Sequence, residues 1–245
     1  MRRKLFDLWP AVLLLLVWQV WVSAAGYNSI VLVSPGAVFS DLAHFPGAYL
    51  LPALRTLAFA LGGLAIGMAA GLFLAIAAWL SELLAGVTTP FALLLSSTPV
   101  VCLIPLLARI FGYQSRTEFV TVAIMTFFPG FVFASKGLRT LPPGSGEFFA
   151  VLAATRGQRL VWLALPAAVP GMAVALRIGA AYSVMVTMIS EYLMQTGGLG
   201  NMFALTSQAF ETERAWGASL VAMTLSVALY NAAGAVETRV REHYR

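Results

Sequence analysis

Few residues in this chain have the types and spacing that covalent or metal chemistry needs. There is one cysteine, Cys102, and the two histidines, His44 and His243, stand far apart, so a His/Cys metal cluster is not expected. A lone cysteine also excludes an internal disulfide. Asp41 near His44 is a faint acid–base candidate, and no Ser/His/Asp set with credible spacing appears. No G-x-x-x-x-G-K-[ST] phosphate loop occurs, so the chain is expected not to hydrolyse a nucleotide itself. "GGLGN" at 197–201 lacks the preceding strand that a nucleotide loop requires. What remains is charge set among apolar residues. Arg177 and Glu191 stand in one long apolar run, and Glu147, Arg156 and Arg159 stand in the gap before it.

The elements that must position these residues follow from composition. The chain has 245 residues, 60% hydrophobic and only 10% charged, against about 25% charged in an average soluble domain. So few charges cannot cover a water-soluble surface, and an all-α integral membrane protein of one domain, 1–245, is expected. A net charge of +5 needs no nucleic acid to explain it, because basic residues gather at cytoplasmic helix ends. Apolar stretches of the ~20 residues that cross a bilayer fall at 8–25, 54–80, 87–111, 118–135, 163–190 and 215–236, with prolines interrupting the third and fourth.

Arg2, Arg3 and Lys4 before the first stretch also fit a cleavable signal peptide, but Trp9, Pro10, Trp18, Gln19 and Trp21 within it favour an uncleaved anchor. With a cytoplasmic N-terminus, Arg2, Arg3, Lys4, Lys136, Arg139, Arg156, Arg159, Arg239, Arg241 and Arg245 lie inside. Arg55, Arg109, Arg116 and Arg214 lie outside. This asymmetry predicts both termini, and the loop at 136–162, in the cytoplasm. Residues 27–52 form an outer loop in which a short amphipathic helix is expected.

Several positions within the spans invite two readings. Gly63, Gly67 and Gly71 recur at four-residue spacing, which lets helices approach closely, either within one chain or between two copies. Arg177 lies ~16 Å along a helix from Pro166, deep in the membrane, where a charge marks a pathway or a buried pair. Glu191 lies ~21 Å further along, out of reach of Arg177, and is expected to anchor the "TGGLG" turn or an outer gate. Ser183, Thr187 and Ser190 share one helix face, with Tyr182 beside them. They could line a wet pathway or bond neighbouring helices.

The gap segment, "GEFFAVLAATRGQRLVWLALP" at 146–166, places Phe148, Phe149, Leu152 and Leu160 at roughly helical spacing among Glu147, Arg156 and Arg159. A helix over Glu147–Leu160 is too short and too charged to span, and would lie on the membrane or dock into a partner. Leu165-Pro166 would then open the next span, with proline in the first turn.

This segment resembles the cytoplasmic EAA loop of ABC importer permeases. Glu147, Leu165 and Pro166 fall at that family's Glu and Leu-Pro positions, Ala153 stands where glycine is usual, and Phe148-Phe149 replace two alanines. "GLRTLPP" at 137–143, "STPVVCLIPLLARIFGY" at 97–113, "LPAAVPGMAVALRIGAAYSVMVTMISEYL" at 165–193 and "GGLGNMF" at 197–203 are similar to its flanking motifs. The group most resembled serves sulfonate, taurine, nitrate and bicarbonate importers.

The resemblance implies a type I permease fold of about six spans with a short coupling helix. It implies that Glu147, Phe148, Phe149, Ala153, Ala154, Arg156, Leu165 and Pro166 engage a separate ATPase. Two ATPase copies, which bind ATP and Mg, a second permease copy and an extracytoplasmic binding protein would complete the importer. This chain would bind no cofactor. It would sit in a bacterial inner membrane and pass a small organic or inorganic anion such as a sulfonate, taurine or nitrate, or alternatively an uncharged or aromatic small molecule or a pyrimidine precursor; a membrane scaffold or channel outside this family is the other reading the sequence leaves open.

Overall fold

The computed structural model describes residues 9–29 and 31–244. Arg2, Arg3, Lys4, Leu8 and Arg245 lie outside the described residues. Helix α1 is Trp9–Ala25, α2 Pro35–His44, α3 Pro46–Leu80, α4 Glu82–Ser97, α5 Val100–Phe111, α6 Ser115–Arg139 and α7 Ser145–Val151. An uninterrupted run, α8, extends from Arg156 to Met194, followed by α9, Gly198–Gln208, and α10, Thr212–His243. Among the described residues, α3, α6, α8 and α10 are long and apolar enough to cross a membrane, and the pair α4–α5 makes a fifth if counted as one span. α1 is apolar but only 17 residues long.

Local sequence sets the boundaries. Ser34 caps α2 by accepting from the Ala37 N–H, with Pro35 in the first turn. Pro46 opens α3 immediately after α2 stops at Phe45, so the expected outer-loop helix at 27–52 is one short helix plus the first turns of a much longer one. The expected crossing at 87–111 breaks at Thr98-Pro99 into α4 and α5, bent by 107°, because the residue before a proline is driven out of helical geometry.

Contacts between the long helices give their directions. Arg55 meets Ser115 at one end of the α3–α6 pair, and the Trp79 indole donates to the Leu138 carbonyl at the other, so these two run parallel. The residues between them, α4 and α5 included, must therefore return from one end of the bundle to the other. α8 runs antiparallel to both: Glu191 meets Thr56, and Gly137 packs on Ala168. α10 is antiparallel to α8, with Ser226 donating to the Ala181 carbonyl. The end of α10 thus lies at the same end of the bundle as α7.

The seam between α3 and α6 is made of small residues. Gly63, Gly67 and Gly71 face α6 of the same chain, and a Cβ on Gly71 would stand 2.6 Å from the Phe131 amide nitrogen and 2.7 Å from the Phe127 carbonyl. That approach lets the Thr126 hydroxyl reach the Gly63 carbonyl at 3.1 Å. Close packing of this kind replaces the hydrophobic drive that lipid removes.

Candidate functional site

The segment joining α6 to α8 departs from expectation in two ways. A single helix over Glu147–Leu160 does not form: α7 stops at Val151, and Ala153 adopts φ 50°. A left-handed alanine costs about 1–2 kcal/mol, which gives a physical reason for glycine at this position in the pattern it resembles. α8 then starts from a capping box, in which the Gln158 N–H donates to the Thr155 hydroxyl and the Thr155 N–H to the Gln158 carboxamide.

The second departure concerns Leu165 and Pro166, which do not open a helix. They lie inside α8, just after one wider turn over Leu160–Ala164. Pro166 cannot donate to the Trp162 carbonyl four residues back, and a local i→i+5 turn absorbs that defect without ending the helix.

On this segment Glu147 and Arg156 are exposed, and Ala154 is half-buried. Phe149 is half-buried and meets the Phe148 ring edge-on at 5.8 Å. Phe148, Val151 and Leu152 stand open, Val151 at 87%.

In the middle of the bundle, Arg177 does not reach Glu191. Its guanidinium donates to Glu237 of α10 at 3.0 Å and lies 4.2 Å from the Tyr230 ring centre. Glu237 also accepts from Arg241 at 2.5 Å. Ser183, Thr187 and Ser190 are fully buried. Ser183 donates to the Ala180 carbonyl and Thr187 to the Ser183 carbonyl, so these two hydroxyls are engaged by their own helix rather than facing an opening. Tyr182 is different. It faces α6, where its hydroxyl meets the Met125 sulfur at 3.7 Å.

At the end away from α7, Glu191 and Glu118 are both fully buried. The Glu191 carboxylate accepts from the Thr56 hydroxyl at 2.8 Å and the Gly200 N–H at 2.9 Å, while Thr56 accepts from the Leu199 N–H. Glu118 accepts from Thr196 at 3.0 Å and pairs with Arg55 at 3.5 Å. Gly198, at φ 78°, packs where a Cβ would collide with the Glu191 carboxylate. The turn after α8 is therefore tied to α3 and α6 by two carboxylates.

Sequence reasoning missed Thr56, Glu118 and Glu237. The last two were visible as carboxylates at or near span ends, but their partners lie 63 and 60 residues away in Arg55 and Arg177 (118 − 55 and 237 − 177). Among the described residues there is no group of three His, Cys, Asp or Glu placed to hold a metal.

Parallel and antiparallel apolar helices, internally paired charges and one short exposed helix at a bundle end together define a multi-pass helical membrane protein. More specifically, the chain belongs to the family of binding-protein-dependent transport system inner membrane components, whose profile matches residues 63–242.

It is similar to the riboflavin transport system permease protein RibX of Chloroflexus aurantiacus, 29% identical over 94% of this chain and 89% of that one. It is 27% identical to the formylaminopyrimidine transport permease protein ThiX of Halalkalibacterium halodurans, over 82% of this chain and 81% of that one. The putative aliphatic sulfonates transport permease protein SsuC of Bacillus subtilis matches at 24% over 65% and 58%. In fold it is similar to a chain of the inward-facing MetNI methionine ABC transporter, with TM-score 0.66 and 18% identity over 80% of this chain and 95% of that one. The architecture is that of a type I ABC importer permease.

Proposed function

We propose that two identical copies of this permease subunit form one importer, each offering the segment between α6 and α8 to a separate cytoplasmic ATPase. The observation that carries this reading is the open apolar surface of α7, where Phe148, Val151 and Leu152 project at the end of the bundle. A seven-residue helix cannot span, and its apolar side chains call for a cover that the chain itself does not supply. Glu147, Phe148, Phe149, Ala153, Ala154 and Arg156 would meet the ATPase, with Leu165 and Pro166 setting how α8 leaves that contact. ATP and Mg would be held by the ATPase. A binding protein would deliver solute at the opposite end, where Glu191 holds the outer turn. Both termini would lie in the cytoplasm, and α10 ending beside α7 supports this for the C-terminus.

The solute is a small molecule or small ion in this reading. An anion such as a sulfonate, taurine or nitrate is supported by resemblance, and the sulfonate among them also by the SsuC relative. One observation favours an uncharged solute instead. Arg177, the guanidinium in mid-bundle, is held by Glu237 and Tyr230, so its charge serves to pin α8 to α10 rather than to draw an anion. Tyr182 would face the pathway, while Ser183, Thr187 and Ser190 would lie buried behind it.

Purification of the tagged chain from native membranes in mild detergent tests the coupling reading. An ATPase with a phosphate-binding loop should co-purify, and should be lost when Glu147 and Arg156 are both replaced by alanine while the chain remains in the membrane. Absence of any such ATPase, under conditions that keep a known importer whole, would refute it.

A further inference from the structure

A cavity of about 330 Å³ opens midway along α6 and α8, walled by Met125, Phe128, Pro129, Phe133, Ile178 and Tyr182. Small-molecule sites start at about 300 Å³ and combine apolar and aromatic walls with a few placed polar groups. Two such groups stand here. The Tyr182 hydroxyl has one partner, the Met125 sulfur, and a thioether is a weak acceptor, so the hydroxyl retains most of its bonding capacity. Pro129 has no N–H to give the carbonyl of Met125 four residues back, so that carbonyl lacks the donor of a regular helix. Tyr182 thus sets one donor-acceptor hydroxyl in a wall otherwise made of rings and alkyl groups, and Met125, whose carbonyl lacks its helical donor, lines the same wall.

Among the described residues, no charged side chain lines this cavity. Arg177 neighbours Ile178 in sequence, yet its guanidinium is spent on α10. An anion seated here would lose its hydration without a counter-charge, which is far costlier than burying a neutral polar group that keeps its hydrogen bonds. A lipid chain would fill the apolar walls but leave both polar groups unused. Phe128 and Phe133 offer faces and edges on which a planar ring stacks favourably.

We infer that this cavity is the permease's half of a solute seat for a flat, uncharged heteroaromatic ring, stacked on Phe128 and Phe133 and oriented by Tyr182 and the Met125 carbonyl. The inference rests on the importer reading and names the solute class for it.

The test uses the purified permease–ATPase complex in lipid nanodiscs, titrated by calorimetry with 4-aminopyrimidine, quinazolin-4-one and lumichrome, which span one to three fused rings. Methanesulfonate and nitrate serve as anionic probes. At least one ring should bind saturably and weaken about five- to tenfold in Tyr182→Phe, the loss of one hydrogen bond. Ile178→Trp, which fills the space, should abolish it, and the anions should not bind. Binding of methanesulfonate or nitrate with none of the rings would overturn the inference. So would ring binding unchanged in both variants, which would mark partition into lipid. The importer reading is scored separately, by whether the ATPase co-purifies with the wild-type chain and with both variants, because neither position lies near α7.

Discussion

Around Glu191, two carboxylates are enclosed by hydroxyls, backbone N–H groups and the Arg55 guanidinium, all supplied by the same chain. Around Phe148 the arrangement is reversed: apolar side chains project outward and the backbone is strained at Ala153. The first region spends its polar groups on holding three helices and a turn together. The second leaves apolar surface and strain in place where a partner could use them. Stability should therefore reside at one end of the bundle and partner dependence at the other.

Three substitutions sharpen that contrast, ordered by their expected effect on stability. Glu191→Ala leaves the buried Gly200 N–H and Thr56 hydroxyl without their acceptor, so thermal unfolding in detergent should show a loss of roughly 2–4 kcal/mol. A loss under about 1 kcal/mol would mean that the enclosed network does not carry the load assigned to it. Ala153→Gly removes the left-handed alanine and should stabilise by about 0.5–1 kcal/mol. That gain would be reduced by the greater freedom of glycine in the unfolded chain, and ATPase recovery should stay intact. A clear destabilisation would show that the turn is not strained. Phe148→Ser should change stability by less than about 0.5 kcal/mol yet release the ATPase during purification. A large fall in melting temperature would instead make Phe148 a core residue and erase the contrast.

The long apolar runs were legible in the sequence because span length is set by bilayer thickness, which does not depend on tertiary detail. Helix continuity was not. Pro166 reads as a helix start, yet a wider turn at Leu160–Ala164 carries α8 straight past it. Thr98-Pro99 reads as a mild interruption, yet it turns the chain through 107°. The same residue type breaks one helix and is absorbed by another, and the packing of neighbours decides between them. Glu147 and the exposed phenylalanine were legible as a surface element. The left-handed turn at Ala153 was not, because alanine carries no signal for it. Arg177 was legible as a buried charge but its partner was not, since Glu237 lies on another helix and pattern within one helix could not find it.

The unbroken course of α8 has a mechanical consequence. Its 39 residues make a rod ~58 Å long at ~1.5 Å per residue. The wider turn at Leu160–Ala164 and the prolines after it, Pro166 and Pro170, are where such a helix bends, so a displacement imposed beyond them reaches Glu191 with less lost to bending than one imposed at Arg156. Pivoted at one end, such a rod swings its far tip by about 1 Å for each degree of rotation at that length. A modest change of angle at the Arg156 end would then appear at the Glu191 end as several ångströms of travel, delivered by geometry with no relay of side chains between them.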